Sequence, residues 1–296
     1  MGLKVEKVSK KFGRKLVVDN ISLTLDKPEV YGLLGTNGAG KTTTIRMILG
    51  ILKKDSGTIT WNYSEVKREK VNFGYLPEER GVYPKIKIMD QLLYFARLKG
   101  MNKDNATKSI LKYAKKLKVE QYLEMTPEKL SKGNQQKIQI LTSIIHDPDL
   151  VVLDEPFSGL DPVNTEILKK LIIELKEDGK YIIMSAHQMA TIEEFCSDIL
   201  ILDKGKTVLQ GNLNEIKKAY PANRLIIDVN QNIDDDIKEY NMTVENKVGT
   251  AYTVKINDEE DAHKLLTKVV SEGIQINKFE IMKPTLNDIF IEKVGE

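Results

Sequence analysis

Apolar positions fall along this chain in two rhythms. Residues 3–8 alternate, with Leu3, Val5 and Lys7 on one side and Lys4, Glu6 and Val8 on the other. Residues 21–25 alternate likewise, with Ile21, Leu23 and Leu25 on one face. Period-two alternation predicts strands, here an antiparallel pair. Val30-Tyr31-Gly32-Leu33-Leu34, Thr58-Ile59-Thr60-Trp61, Val71-Asn72-Phe73-Gly74-Tyr75-Leu76 and Tyr181-Ile182-Ile183-Met184 read as further strands. The unbroken run Leu150-Val151-Val152-Leu153 suits a strand buried on both faces of a parallel sheet. Ile199–Leu202 and Lys206–Gln210 form a hairpin about Asp203-Lys204-Gly205. Helical spacing replaces alternation at Met89, Leu92, Leu93 and Ala96, and again at Ile110, Leu111, Ala114 and Leu117. Two more helices run over 134–145 and 163–177. Beyond residue 212 come strands at 225–229, 251–256 and 274–281, a helix at 262–270 and a last helix opened by Pro284. That order suggests a small α+β unit, ferredoxin-like.

Composition sharpens the division. The 296 residues are 41% apolar, enough for a sizeable core in one large or two smaller domains. Residues 213–296 hold 11 Lys/Arg against 16 Asp/Glu, a net −5, and residues 1–212 hold 34 against 27, a net +7. The change of sign supports a boundary near 212. A net charge of +2 argues against a strongly basic nucleic-acid binder. Cys196 is the one cysteine, so no internal disulfide forms and a reducing compartment is expected, with the thiol inert and partly buried. No apolar run approaches the ~20 residues of a membrane span, and Met1–Glu6 shows no signal-peptide core. Any membrane span is expected from another subunit.

The chemistry gathers where strands end. Gly35-Thr36-Asn37-Gly38-Ala39-Gly40-Lys41-Thr42-Thr43 follows a strand and opens a helix, with the spacing G-x-x-x-x-G-K-[ST]. Such a loop turns successive N–H groups toward one anion at a helix N-terminus. Lys41 is expected to reach the β- and γ-phosphates of a nucleotide, and the Thr42 hydroxyl to hold Mg²⁺. Asp154 and Glu155 stand at the end of the 150–153 run: Asp154 is the expected second Mg²⁺ contact, Glu155 the group that orients and partly deprotonates an attacking water. His187, at the end of the 181–184 strand, is placed to bond the γ-phosphate or that water. Phe12, beside Gly13 in the basic loop Lys10–Arg14, reads equally as an adenine-stacking aromatic or a core side chain. These groups cover the phosphates from one side. A second helix N-terminus, Leu130-Ser131-Lys132-Gly133-Asn134, suits an anion on the other: Ser131 is a good N-cap and Gly133 permits close backbone approach.

Taken in order, GTNGAGKTT, LSKGNQQK, LVVLDEP, FSGLD and SAH resemble the ATP-binding subunits of ABC transporters, over residues 1–212. The resemblance implies a P-loop NTPase, α/β with a mixed sheet, an antiparallel β subdomain and a helical insertion at about 85–146. It implies ATP and Mg²⁺ as cofactors, and head-to-tail pairing of two copies (or a copy and a close paralogue), so that Ser131 and Gly133 of one chain cover the phosphates held by the other. Ser158-Gly159-Leu160-Asp161 looks like the loop that passes between the two sites, His187 like the switch histidine and Phe12 like the adenine-stacking aromatic. Two departures stand out. The signature reads LSKGN, with Lys132 in place of a Gly, and Glu78 follows Pro77 where the family usually has Gln, a position expected to ligate Mg²⁺. The run Pro77-Glu78-Glu79-Arg80-Gly81 is similar to one branch, the sodium- and drug-export-like ATPases that pair with a separate multi-span permease at the cytoplasmic face of the membrane. Residues 213–296 resemble the small C-terminal α+β accessory domain of that branch. The expected function is ATP hydrolysis powering export through the permease, with no direct nucleic acid. The alternative is a soluble ATP-switched interaction protein for nucleic acid or ribosome; those relatives carry tandem cassettes or long coiled coils, whereas this chain has one phosphate loop and no sustained heptads.

Overall fold

The N-terminal alternation runs further than its apolar positions suggest. The computed structural model describes residues 2–66, 71–79, 81, 83–186 and 189–295. Strand β1 (Leu3–Phe12) pairs antiparallel with β2 (Lys15–Leu25), from Leu3↔Leu25 to Phe12↔Lys15. Residues 10–14, expected as a loop, are therefore strand ends and a two-residue turn. The expected sides also change: Leu3, Val5 and Val8 are buried together, and Lys7 is exposed. Lys7 has φ 49, and the register shifts between Val5 and Val8. One extra residue in a bulge moves every later side chain to the opposite face.

The chain then supplies β3 (Val30–Gly35), α1 (Lys41–Ile48), β4 (Ser56–Trp61), β5 (Ser64–Glu65) and β6 (Phe73–Leu76). Three helices follow, α2 (Ile88–Leu98), α3 (Lys103–Leu117) and α4 (Lys132–Ile144). After them come β7 (Leu150–Asp154), α5 (Pro162–Glu177), β8 (Tyr181–Ala186), α6 (Met189–Glu193) and the hairpin β9 (Asp198–Asp203) and β10 (Lys206–Asn212). These strands make two sheets, ordered β2-β1-β4-β5 and β10-β9-β3-β8-β7-β6. In the second, β6, β7, β8, β3 and β9 are parallel. Their residues show no alternation because both faces are covered: all of β3 and β7 is buried. One face shares a core with the antiparallel sheet, joining Leu3, Ile21 and Leu23 to Leu33, Val152 and Leu200. The register sets Leu34 beside Ala186 and Asp154 beside Ser185. The carboxyl ends of β3, β7 and β8 thus meet at one edge, where ligands of open α/β sheets gather.

In the helical segment the inward faces differ in part from the apolar spacing. α3 buries Ala106, Ile110, Tyr113, Ala114 and Leu117, a stripe at i, i+4, i+7, i+8 and i+11, and leaves Leu111 exposed off that stripe. In α2 the polar Gln91 is buried beside Leu92, because its side chain bonds the backbone of Tyr83 and Ile86. Cys196 is fully within the core: its Sγ lies 3.3 Å from where a side chain on Gly32 would stand, and burial pushes the thiol well above its ordinary range.

Contacts divide the chain into two units, Met1–Gly211 and Asn212–Glu296. The second contains α7 (Leu213–Ala219), β11 (Arg224–Val229), α8 (Asp234–Glu239), β12 (Thr243–Val248), β13 (Ala251–Lys255), α9 (Glu259–Ser271), β14 (Ile276–Met282) and α10 (Leu286–Gly295). Its sheet runs β12-β13-β11-β14 with every neighbour antiparallel. From β11 to β14 this is the βαββαβ order of ferredoxin-like folds. Leu225, Ile227, Tyr252, Val254, Leu265 and Val269 form its core. Strand β12 left no apolar alternation to read: it is an exposed, charged edge, which guards against pairing with other chains.

Candidate nucleotide site

Two glycines make the loop after β3 possible. Gly35 has φ 144, and a Cβ there would stand 2.3 Å from the Leu202 carbonyl oxygen. Gly40 has φ 104, and a Cβ there would meet the Val17 oxygen at 2.9 Å. Gly40 is also the N-cap of α1 and offers no side-chain bond, so the first-turn N–H groups stay available to an anion. Thr36, Asn37 and Gly38 are exposed, whereas Ala39, Gly40 and Lys41 are buried and Thr42 and Thr43 half-buried. Behind the loop, the Gly205 N–H donates to the Ala39 carbonyl at 3.0 Å. Gly205 thus braces the loop from the β9–β10 turn, a role its sequence position gave no reason to assign.

Lys41 lies along this loop. Its Nζ donates to the Gly35 carbonyl at 2.8 Å and the Thr36 carbonyl at 3.3 Å, and stands 3.7 Å from Glu155 Oε1. Both charged groups are buried. Glu155 itself has φ 53, a left-handed conformation that costs a non-glycine residue about 1–3 kcal/mol. It is held there from both sides: its N–H donates to Ser185 Oγ at 3.0 Å, and its carbonyl accepts the Ser158 N–H at 3.1 Å. This turn aims the Glu155 side chain back at Lys41. Asp154 is fully buried, and the Ser185 hydroxyl donates to its Oδ1 at 2.5 Å. Burial pushes its carboxyl above the ordinary range, against the pull of the Ser185 and Thr42 hydroxyls. Its Oδ2 is buried with no hydrogen-bond partner. An unpartnered buried carboxylate oxygen near a hydroxyl is an oxygen pair suited to a hard cation. Among the described residues no group of three or more His, Cys, Asp or Glu is placed to hold a metal ion. Ser185 was visible in the sequence only as a strand-end serine. Its Oγ, touching Asp154 and Glu155 together, requires β7 and β8 to be neighbours in this register.

Other expected residues lie apart. Phe12 is 50% exposed, as a stacking ring must be and a core ring is not. Glu78 is exposed just beyond β6, and its charge and that of Asp154 both act on Tyr75, whose hydroxyl is raised mainly by burial. Ser131 caps α4, its Oγ accepting the Asn134 N–H at 3.4 Å. Gly133 faces the 158–161 loop: a Cβ there would lie 3.4 Å from Asn164 Nδ2 and 3.6 Å from Leu160 Cδ2. Gln136 Nε2 donates to the Pro156 carbonyl at 3.2 Å, tying α4 to the loop that follows Glu155. No hydrogen bond among the described residues joins Ser131 or Gly133 to the phosphate-type loop. His187 falls outside the described residues, as does Arg80.

Residues 18–158 match the family described as ABC transporter, and residues 211–294 match ATP-binding protein DrrA1-3-like, C-terminal domain. The chain is 44% identical to the "Uncharacterized ABC transporter ATP-binding protein YhaQ" of Bacillus subtilis (strain 168), over 99% of this chain and 98% of that one. It belongs to the ABC transporter ATP-binding proteins. A solved "ATP binding subunit of ABC transporter" superposes with TM-score 0.68 at 29% identity, covering 74% of this chain and 93% of that one. The "Nod factor export ATP-binding protein I" of Burkholderia lata is 34% identical over 69% of this chain and 68% of its own. As a member of this family the chain binds ATP and is an ATPase, a subunit of a transporter. No helix among its described residues is long and apolar enough to cross a membrane.

Proposed function

We propose that two copies of this chain, or a copy and a close paralogue, close head to tail around two ATP molecules and drive export through a separate multi-span permease. The carrying observation is the contrast in the first unit between a buried cluster on one side, Lys41, Glu155, Asp154 and Ser185, and an uncommitted helix end at Ser131 and Lys132, both exposed. In this reading Gly35 to Thr43 wrap the phosphates, with Lys41 on the β- and γ-oxygens. Ser131 and Gly133 of the second copy close the open side, and Phe12 stacks on the base. Glu155 takes the proton of the attacking water, and His187 bonds the γ-phosphate. Thr42, Asp154 through its Oδ2, and Glu78 would hold Mg²⁺; the cation would supply charge neutralisation of the transferred phosphoryl group.

For the permease, the first unit offers a groove of about 580 Å³ lined by Leu49, Phe73, Tyr75, Phe95, Leu98 and His146. Gln139 lines it too, buried, with neither its amide nitrogen nor its oxygen hydrogen-bonded. The groove follows the Glu78 loop, so movement at the nucleotide would be felt there. Export as the direction is supported by the Nod factor relative and by the Pro77–Gly81 run. The test is recovery of the tagged chain from detergent-solubilised membranes. Co-purification of one multi-span protein whose presence changes the ATPase rate is the expected result. Recovery with ribosomes or nucleic acid, and no membrane partner, would overturn it.

A further inference from the structure

One carboxylate holds the end of β1, and the phosphate chemistry does not use it. Asp55 lies just before β4. Its N–H donates to the Ser9 carbonyl at 3.0 Å. Its Oδ1 accepts the Lys10 ammonium at 2.7 Å, and its Oδ2 accepts the Lys11 N–H at 2.7 Å. Three successive residues ahead of Phe12 are therefore bound by this single residue. The Lys10 ammonium in turn stands 5.7 Å from the centroid of the Phe12 ring, within cation–π range.

The strand needs such a clamp. The register between β1 and β2 shifts between Val8 and Lys10 and again between Lys10 and Lys11. At both shifts the extra residue lies on β2, and bulges re-aim the side chains around them. On the side of β4, Asp55 meets the Lys11 N–H. The contact is sturdy for a surface pair: the Lys10 side chain is only 13% exposed, and its bond, with that of the Lys11 N–H, holds the Asp55 carboxyl below the usual carboxylate range.

We propose that Asp55 is a positioning residue for nucleotide binding: through Lys10 and Lys11 it fixes the direction of Phe12, with the ammonium over one face of the ring and the other face left for a purine. This rests on the reading of Phe12 as the stacking aromatic. A strand end ordered in advance does not have to be ordered by the ligand, so the gain is affinity for the base and not for the phosphates. Asp55 itself touches no substrate.

Base and phosphate contributions separate by ligand. Binding of Mg-ATP and of Mg-tripolyphosphate, which has no base, is measured by calorimetry on the full chain carrying Asp55→Ala, Asp55→Asn, Phe12→Ala or both alanines. Asp55→Ala should weaken ATP binding about three- to tenfold and leave tripolyphosphate within about twofold. Asp55→Asn, which keeps an acceptor for Lys11 but loses the charge for Lys10, should fall between. Adding Asp55→Ala to Phe12→Ala should weaken ATP no further, since both act through one ring. Equal loss for both ligands would make Asp55 a structural residue only and end the proposal. Normal ATP binding by Asp55→Ala beside weakened binding by Phe12→Ala would remove Asp55 from base recognition. Normal ATP binding by Phe12→Ala would bring down the stacking reading itself, and the proposal with it.

Discussion

The two helix ends of the first unit proposed to face phosphate are built in opposite ways. At α1 the loop is locked by glycines, braced by Gly205 and backed by buried charges, with Lys41 3.7 Å from Glu155. At α4 the cap is a single long bond from Asn134 to Ser131, and Ser131 and Lys132 are exposed. The first end is finished by its own chain, at the meeting of β3, β7 and β8. The second is only positioned, by Gly133 against the 158–161 loop and Gln136 on Pro156. Such a difference is what a site shared between two copies requires: chemistry preorganised on one surface, and a donor presented on the other.

Breaking the finished side should have the largest effect. Glu155→Gln keeps the shape of the turn but removes the carboxylate charge; ATP turnover should fall about 100- to 10,000-fold while ATP-dependent dimers accumulate in sedimentation. Near-normal turnover would remove Glu155 from its proposed role. On the presented side, Ser131→Ala should lower turnover about tenfold or more and leave ATP binding to the isolated chain nearly unchanged. The comparison sharpens when the two variants are mixed. In a head-to-tail pair one of the two sites would regain both Glu155 and Ser131, so the mixture should hydrolyse ATP faster than either variant alone. Strict additivity of the separate rates would refute a shared site.

Smaller effects test the supports. Ser185→Ala removes the hydroxyl donor of a buried carboxylate and the acceptor for the Glu155 N–H, so chemical denaturation should show a loss of about 1–3 kcal/mol. Ser131→Ala at the exposed α4 cap should cost no more than the usual ~1 kcal/mol of an N-cap. The smallest effect is pH-dependent. Burial pushes His146 down to about 4, with Lys99 adding to it and the Phe73 carbonyl opposing. The imidazole is thus neutral in the fold and protonates near 6.5 in the unfolded chain. Between those values the unfolded state binds more protons, so stability rises with pH through that window and falls as pH drops from 6.5 toward 4. His146→Gln should flatten that part of the stability profile, by about 1–2 kcal/mol at pH 5.

Much of the first unit is legible along the chain because its signals are local. Gly35 to Thr43 declares its loop by spacing, and the 150–153 run declares a two-faced strand. Phe12 is different. Its neighbours suggest a loop and leave its role open, because the path of β1 there depends on its pairing with β2, which carries the extra residues opposite Ser9 to Lys11, and on Asp55, which lies 43 residues further on. The same holds for Ser185: a hydroxyl at a strand end acquires meaning only from the strand beside it. Leu111 and Gln91 show the limit of periodicity in α2 and α3, where several apolar stripes fit one segment and the packed partners choose among them. In the second unit, β12 escaped reading because an edge strand protected by charge carries no alternation.

By itself, the sequence determined most of the elements, the phosphate-type loop and the carboxylate pair after β7, since each depends on residues close along the chain, and the break in charge near 212, which is a matter of composition alone. Only the tertiary structure decided that Asp154, Glu155 and Ser185 form one cluster with Lys41, that Glu155 is held at positive φ, that Gly205 braces a distant loop and Asp55 a distant strand end, and that Ser131 has no bond to the loop before α1. Those facts follow from strand order and register. Strand order and register are set by burial of whole faces against each other, a sum over many residues that no single stretch of chain contains.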